Sequence, residues 1–133
     1  MLARGLQASR YCKDLLNLDS EILCVTIAND DGDIVAIDWK KGRVPWENNG
    51  VKAMQQFEEI QSKLGAWMQI ITGLAGQTEP LVGGFERASF IHKNFQLVLL
   101  GPKLNGYAIG VLLARSANID HVVSKIKEIT GGF

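Results

Sequence analysis

The 133-residue sequence lacks an excess of either charge: 14 Lys and Arg residues balance 14 Asp and Glu residues. Nucleic-acid-binding proteins usually carry a basic surplus because they neutralise phosphates, so this balance argues against a nucleic-acid partner. No run approaches the roughly 18 apolar residues that cross a membrane. Charged residues interrupt the N-terminal leucines (MLARGLQASRYCKDLLNLDSE), unlike the apolar segment of a signal peptide. We therefore expect a cytoplasmic protein with no membrane span.

Catalytic and metal-binding motifs are also scarce. Cys12 and Cys24 are the only cysteines and form no CxxC pair, which favours two reduced core residues. His92 and His121 have no Cys or His partner at zinc-ligand spacing. The acidic segment Asn29–Asp33 lacks the later Glu of an EF-hand loop, so a hairpin turn explains it better. No nucleophile elbow or phosphate-binding glycine loop is present. The sequence predicts a non-enzyme without a cofactor or metal.

The hydrophobic pattern predicts one domain, residues 1–133, with the element order α-β-β-α-β-β-β-α. The expected helices cover about 2–18, 49–75 and 119–129, and the expected strands cover 22–28, 34–39, 85–93, 95–101 and 107–115. Asn48 or Asn49 is expected to cap the long helix. Both alternating sets of side chains in strands 22–28 and 107–115 are apolar or small, which requires helices on both faces of the sheet. We expect an α+β fold: a five-stranded antiparallel sheet with the long second helix on one face and the terminal helices on the other.

Two rows of residues run along the long helix with the same 4-3-4-3-4 spacing. The first row is apolar and is expected to pack on the sheet: Ala53, Phe57, Ile60, Leu64, Trp67 and Ile71. The second row is more mixed: Met54, Glu58, Gln61, Gly65, Met68 and Thr72. Gly65 inside a helix suggests close approach by another element, and Met adapts well to protein contacts. The second row is therefore either a seam between two copies of the chain or a mixed face toward solvent.

Two further features point to surfaces rather than to chemistry. The strand at 85–93 mixes charged and polar residues, among them Arg87 and Ser89, as an edge or interface strand does. The loop before the long helix carries a small basic cluster beside tryptophans: Lys40, Lys41, Arg43 and Trp46. This cluster is either a contact for an acidic partner or a phosphate, or a set of solvated loop charges beside rings that enter the core.

The element order and two segments resemble the roadblock/dynein light chain family. The first segment is the strand–DG–strand hairpin ILCVTIANDDGDIVAI, and the second is FERASFIHKNFQLVLLGPKLNGYAIGVLLARSANI, which leads into the last helix. The resemblance covers about residues 2–129. Profilin-like and longin-like domains have related architectures.

The resemblance implies a homodimer, or a heterodimer with a paralogue, in which the second helices pair antiparallel and the third strands meet. It thereby implies a dimer interface at Met54, Glu58, Gln61, Gly65, Met68, Thr72, Arg87 and Ser89. It also implies a non-catalytic adaptor that binds or regulates a small Ras-like GTPase, and no catalytic residue is carried over. Two alternatives remain open: a small-molecule sensor of profilin-like architecture, and a purely structural dimerisation module.

Overall fold

A computed structural model describes residues 2–29, 31–48, 50–104 and 107–130. Its helices are α1 (Leu2–Leu16), α2 (Pro45–Asn48), α3 (Gly50–Val82) and α4 (Ile119–Thr130). Its strands are β1 (Ile22–Ala28), β2 (Ile34–Trp39), β3 (Arg87–Ile91), β4 (Phe95–Leu104) and β5 (Tyr107–Ala114). The strands form an antiparallel sheet in the order β2-β1-β5-β4-β3. The expected architecture is confirmed, with α2 as a short additional helix.

The central strands β1 and β5 are covered on both faces, as their two apolar sets predict. On one face, Val25, Ile27 and Val111 join a core cluster with residues of α1 and α4. On the other face, Cys24 and Ala28 pack with residues of α3. Because successive side chains of a β-strand point to opposite faces of the sheet, the apolar residues of each central strand pack against helices on both sides.

The long helix runs seven residues past the expected end at Ala75. Gly73 and Gly76 lie inside it, and the helix stops at Gly83, which has a φ of 95° and donates its N–H to the Glu79 carbonyl at 2.9 Å. A glycine within a helix costs free energy but does not end it, whereas a left-handed glycine after the last turn does. With 33 residues, α3 is about 50 Å long.

Other predicted bounds differ more modestly. β3 covers fewer residues than the expected 85–93, and β4 continues to Leu104, into the segment expected to turn. Asn49, one of the two expected caps, lies outside the described residues. Within the described ranges, no helix is long and apolar enough to cross a membrane.

Asp19, in the turn before β1, joins three separate parts of the fold. Its side chain accepts hydrogen bonds from the Glu21 N–H at 2.8 Å and from Lys125 Nζ of α4 at 2.9 Å. Its backbone carbonyl accepts a hydrogen bond from Lys40 Nζ at 2.6 Å. The Glu21 N–H and the Lys125 ammonium lower the pKa of Asp19, because both stabilise the ionised carboxylate.

Gln96 is a buried polar residue that fixes the connection from β5 to α4. Its Nε2 lies within hydrogen-bonding distance of the carbonyls of Ala114, Arg115 and Ala117, at 3.1, 2.9 and 3.0 Å. Gln96 is only 3% exposed, and its side-chain amide supplies hydrogen-bond donors to carbonyls at and beyond the end of β5.

Candidate interaction groove

The face of α3 that contacts the sheet is centred on Gly65 and Met68, its two buried residues. A Cβ at position 65 would lie 1.9 Å from the carbonyl oxygen of Gly32, in the β1–β2 turn. The Met68 methyl group would lie 3.4 Å from a Cβ at Gly110 of β5. The close approach that Gly65 permits is therefore made by the chain's own hairpin, which corrects the sequence-based idea that a second helix approaches there.

The remaining members of the second row have different surroundings. Met54 is half-buried and packs beside Trp46, while Gln61 and Thr72 are half-buried and Glu58 is exposed. The Thr72 hydroxyl lies 3.0 Å from the Met68 carbonyl of its own helix. This row thus forms much of the contact with the chain's own sheet, and whether its exposed members also touch another copy stays a prediction.

Four residues of the apolar row that was expected to pack on the sheet do so: Ala53, Phe57, Leu64 and Ile71 are half-buried and pack against core clusters that include strand residues. Ile60 and Trp67 are 47% and 46% exposed, so the expectation that the row packs on the sheet is wrong for these two residues. The physical reason is the rotation of the helix: Gly65 and Met68 are its buried residues, so the first row is turned partly away from the sheet and its two outermost residues, Ile60 and Trp67, are left exposed. The residues of this row line one wall of an open groove: Ala53, Phe57, Ile60, Leu64, Trp67 and Ile71.

The groove has a volume of about 630 Å³ and separates α3 from the β3–β4 side of the sheet. Its floor includes Leu97 and Leu99 of β4 and Leu112 of β5. Phe90 and His92 lie at the outer rim, and Phe90 is 41% exposed. The helix covers only part of this face, and apolar side chains line the uncovered part.

Two aromatic rings, Trp46 and Phe57, line one end of the groove, and Trp39 packs against both of them. Trp46 stacks on Phe57 with ring centroids 3.9 Å apart, and Trp39 meets both rings edge-on at 5.6 Å. Trp39 Nε1 donates to Glu47 Oε1 at 2.8 Å, and the Gly42 N–H donates to Glu47 Oε2 at 2.6 Å. These two donors lower the pKa of Glu47, because they stabilise its charged form.

Trp46 Nε1, by contrast, is buried without a hydrogen-bond partner. An indole N–H left unpaired in the interior costs stability, about 1–3 kcal/mol on mutational scales. Trp46 belongs to the core beneath the basic loop, and it also lines the groove.

The basic loop uses two of its three cations within the chain. Lys40 donates to the Asp19 carbonyl, and an Arg43 guanidinium nitrogen lies 3.3 Å from the Ser20 carbonyl. Burial lowers the pKa of Lys40, because it disfavours the charged ammonium. Lys41 is exposed. The two bonds attach the loop to the turn before β1, while a partner contact by the loop stays a prediction.

Strand β3 lies at one edge of the sheet and pairs only with β4, as its polar pattern predicts. Arg87 forms an ion pair with Asp120 of α4, so its guanidinium is directed to the face opposite the groove. Ser89 and Ile91 are exposed. The edge itself is free of another strand of the described chain, and its role in joining two sheets stays a prediction.

The described residues contain no cluster of three or more His, Cys, Asp or Glu side chains that could hold a metal ion. Cys12 and Cys24 are buried free thiols, and burial raises the pKa of each to about 12. A thiol with such a pKa is almost entirely protonated at neutral pH and is a poor nucleophile. These two residues act as packing groups.

The last ten residues of α3, 73–82, leave most of their side chains exposed. A Cβ at Gly73 or Gly76 would meet no other atom within 4 Å. Leu74, Leu81 and Val82 are 59%, 88% and 78% exposed. The interval 64–82 contains one charged residue, Glu79. Exposed helices are usually charged on their outer side, so the low charge of this segment is a sequence signal typical of a contact surface.

No protein-family model and no curated protein sequence matches the chain. Solved structures do match its fold. A Roadblock/LC7 domain from Streptomyces avermitilis superposes with a TM-score of 0.65 at 10% identity, over 92% of this chain and 91% of that one. MglB from Myxococcus xanthus gives 0.60 at 12% identity, over 96% and 81%. The gliding protein MglB from Thermus thermophilus gives 0.57 at 10% identity, over 96% and 84%. The chain therefore has the roadblock fold.

Proposed function

We propose that this chain is a non-catalytic, self-associating adaptor that binds and regulates a small Ras-like GTPase. The observation that carries the proposal is the open apolar groove beside α3, in a chain with the roadblock fold. The chain acts as a single roadblock-like domain, and its natural partner in the dimer is a second copy or a paralogue.

Self-association is supported by the apolar side chains that the single chain leaves in water. Ile60, Trp67 and Phe90 lie around one groove and are each more than 40% exposed. Burying a large apolar side chain contributes about 1.5–3 kcal/mol, so covering this groove in two copies favours a dimer strongly. The zero net charge presents little electrostatic resistance to such a contact.

The proposed interface extends from this groove to the edge of β3, which carries Ser89 and the backbone of Arg87. From the second row of α3, it uses the exposed Glu58 and the half-buried Gln61. Gly65 and Met68 contribute to the interface indirectly: their contacts with the chain's own sheet and hairpin set the rotation of α3 that leaves Trp67 exposed. The resulting dimer presents one continuous surface made by two copies.

Regulation of a GTPase follows from the roadblock resemblance, since members of that family act as scaffolds and regulators of Ras-like GTPases. Such a dimer alters the GTPase by binding one nucleotide state of its switch loops more tightly than the other. Lys41, the exposed cation of the basic loop, is a candidate contact for an acidic surface of that partner.

The experiment immobilises this protein and measures how much of each Ras-like GTPase of the source organism it retains. Each GTPase is tested in its GDP-loaded form and in its GTP-analogue-loaded form. We expect retention to differ between the two forms, and an Ile60→Lys variant to lose retention because it disrupts the composite surface. Ile129→Lys, at an exposed apolar position on α4, is the matched control and should retain binding. Equal retention of both nucleotide forms would contradict regulation and leave a scaffold.

A second function has one observation in its favour: a groove of about 630 Å³ is large enough for a drug-sized apolar molecule. In that case the chain is a small-molecule sensor. Native mass spectrometry of the freshly purified protein decides between the two. A stoichiometric co-purifying ligand supports the sensor, and a ligand-free dimer counts against it.

A further inference from the structure

The groove beside α3 is long but narrow. The α3 residues that line it run from Ala53 to Ile71, which is about 27 Å along the helix axis. A helix with its side chains is about 10–12 Å thick, so this length of helix would fill roughly 2,000 Å³ or more. The groove has a volume of about 630 Å³. It can therefore hold an extended chain or a few inserted side chains, but not a helix.

The lining of the groove favours an uncharged ligand. Among the described residues that line it, none is Asp, Glu, Lys or Arg, and its one histidine, His92, lies at the outer rim. Burial raises the pKa of the lining residue Cys24 to about 12, so its thiol is neutral at physiological pH. A charged group placed in the groove would lose its hydration without gaining an opposite charge. The groove is therefore suited to a neutral, apolar molecule.

One hydrogen-bond donor at the aromatic end of the groove lacks an acceptor. Trp46 lines the groove and is only 9% exposed, and its Nε1 has no hydrogen-bond partner among the described residues. An indole N–H can only donate, so an oxygen acceptor is the group that would satisfy it. Because the surrounding side chains are uncharged, the carbonyl oxygen of an ester or amide suits this position better than a carboxylate.

We propose that the groove binds a neutral, unbranched acyl chain whose carbonyl oxygen accepts a hydrogen bond from Trp46 Nε1, and that this chain displaces a second copy of the protein. The methylene groups then lie along the floor of the groove, over Leu97 and Leu99. The displacement rests on the proposed function, because the groove is also the proposed contact between two copies. Trp67 and Phe90 line the groove and are partly exposed, and either the acyl chain or the second copy covers them. The acyl chain thereby regulates self-association.

Displacement of the neutral fluorescent probe N-phenyl-1-naphthylamine tests the class of ligand. The competitors are the methyl esters of octanoic, decanoic and dodecanoic acids, and the dodecanoate anion. Each added methylene should lower the ester Kd about threefold to fourfold, because it buries more apolar surface. Dodecanoate should bind at least about tenfold more weakly than its methyl ester, because its charge is not paired in the groove. Failure of the esters to displace the probe, equal affinity of the three esters, or a preference for dodecanoate would overturn the proposal.

Three variants test the position of the bound chain. Ile60→Glu places a charge on the groove wall at a half-exposed position and should raise the Kd of methyl decanoate at least about tenfold. Ile129→Glu, at an exposed position on α4, should change this Kd less than about twofold. Trp46→Phe should raise the Kd of methyl decanoate about threefold to tenfold, but it should leave the Kd of the probe, which has no oxygen acceptor, nearly unchanged. Equal weakening of ester and probe would contradict the hydrogen bond.

Sedimentation equilibrium with and without the ester separates failure of this inference from failure of the proposed function. Saturating methyl decanoate should raise the dimer Kd of the wild type at least about tenfold, because the ester and the second copy compete for one groove. A dimer whose Kd does not change with saturating ester refutes the displacement and leaves the proposed self-association in place. A wild type that is monomeric without the ester refutes self-association, whereas a dimer that binds no ester refutes the acyl-chain site alone.

Discussion

Replacing Gly65 by Ala tests how the hairpin sits on α3. The new Cβ would lie 1.9 Å from the Gly32 oxygen and 2.7 Å from its carbonyl carbon, both backbone atoms. Carbon–oxygen contacts normally begin near about 3.3 Å, so the turn and the helix must separate by more than about 1 Å.

The turn resists that movement. Gly32 has a φ of 81° and donates its N–H to the Asn29 carbonyl at 3.1 Å, while the Asn29 N–H donates to the Asp33 carbonyl at 2.9 Å. Asn29 Oδ1 also accepts from the backbone N–H groups of Asp31 and Asp33. Displacing Gly32 therefore strains or breaks several hydrogen bonds at once.

The opposing effect is helix propensity, since Ala is favoured over Gly by about 1 kcal/mol. Overpacking costs about 1–3 kcal/mol, and each hydrogen bond lost adds about 1 kcal/mol. We expect Gly65→Ala to lower the free energy of unfolding by about 2–4 kcal/mol, which lowers Tm by about 8–15 °C.

The assay is urea and thermal unfolding by circular dichroism at one protein concentration. Gly73→Ala is the matched control, because a Cβ there meets no atom within 4 Å and the substitution should stabilise by about 0.5–1 kcal/mol. If Gly65→Ala were as stable as Gly73→Ala, the hairpin would not sit on the helix and the rotation of α3 would be wrong.

Four further substitutions test other contacts of the fold. Gln96→Met should cost about 1–3 kcal/mol in urea unfolding, because it removes the buried amide donor of the Arg115 and Ala117 carbonyls, while the Ala114 carbonyl keeps the Ala117 N–H; a loss below about 0.5 kcal/mol would contradict that role. The lowered pKa of Asp19 contributes stability that is present above the unfolded pKa of about 3.9 and is lost as pH falls through the folded value. Asp19→Asn should therefore lower the free energy of unfolding at neutral pH and make it fall less between pH 5 and pH 2. A variant whose free energy of unfolding falls as steeply as that of the wild type over this range would contradict the prediction. Trp39→Phe should cost about 1 kcal/mol more than Trp46→Phe, since only Trp39 loses a hydrogen bond; equal losses would contradict this difference.

The sheet and its layers were predictable because their signals are local. In β5, both alternating sets of side chains are apolar or small, and this requires cover on both faces wherever the strand lies. The turn between β1 and β2 contains Gly32, which supplies the positive φ that the turn uses. The polar character of β3 likewise indicated an edge position, since unpaired strands tolerate charge.

The orientation of α3 was not predictable from its own sequence. Both rows have the same spacing, and a glycine permits close approach equally to a helix or to a hairpin. The contact of Gly65 with Gly32, 33 positions earlier in the chain, sets how the two rows lie against the sheet. The hydrogen bonds of Asp19 with Lys40 and Lys125 also join residues that are far apart in the sequence, so no local sequence pattern predicts them.

The most direct test of the central claim is the molar mass of the wild type and of Trp67→Lys by sedimentation equilibrium over a range of concentrations. Each chain has a mass of 14.6 kDa. We expect the wild type to have twice that mass and Trp67→Lys, with the same circular dichroism spectrum, to have the mass of one chain. A monomeric wild type, or a Trp67→Lys variant that stays fully dimeric, would contradict self-association through the groove beside α3.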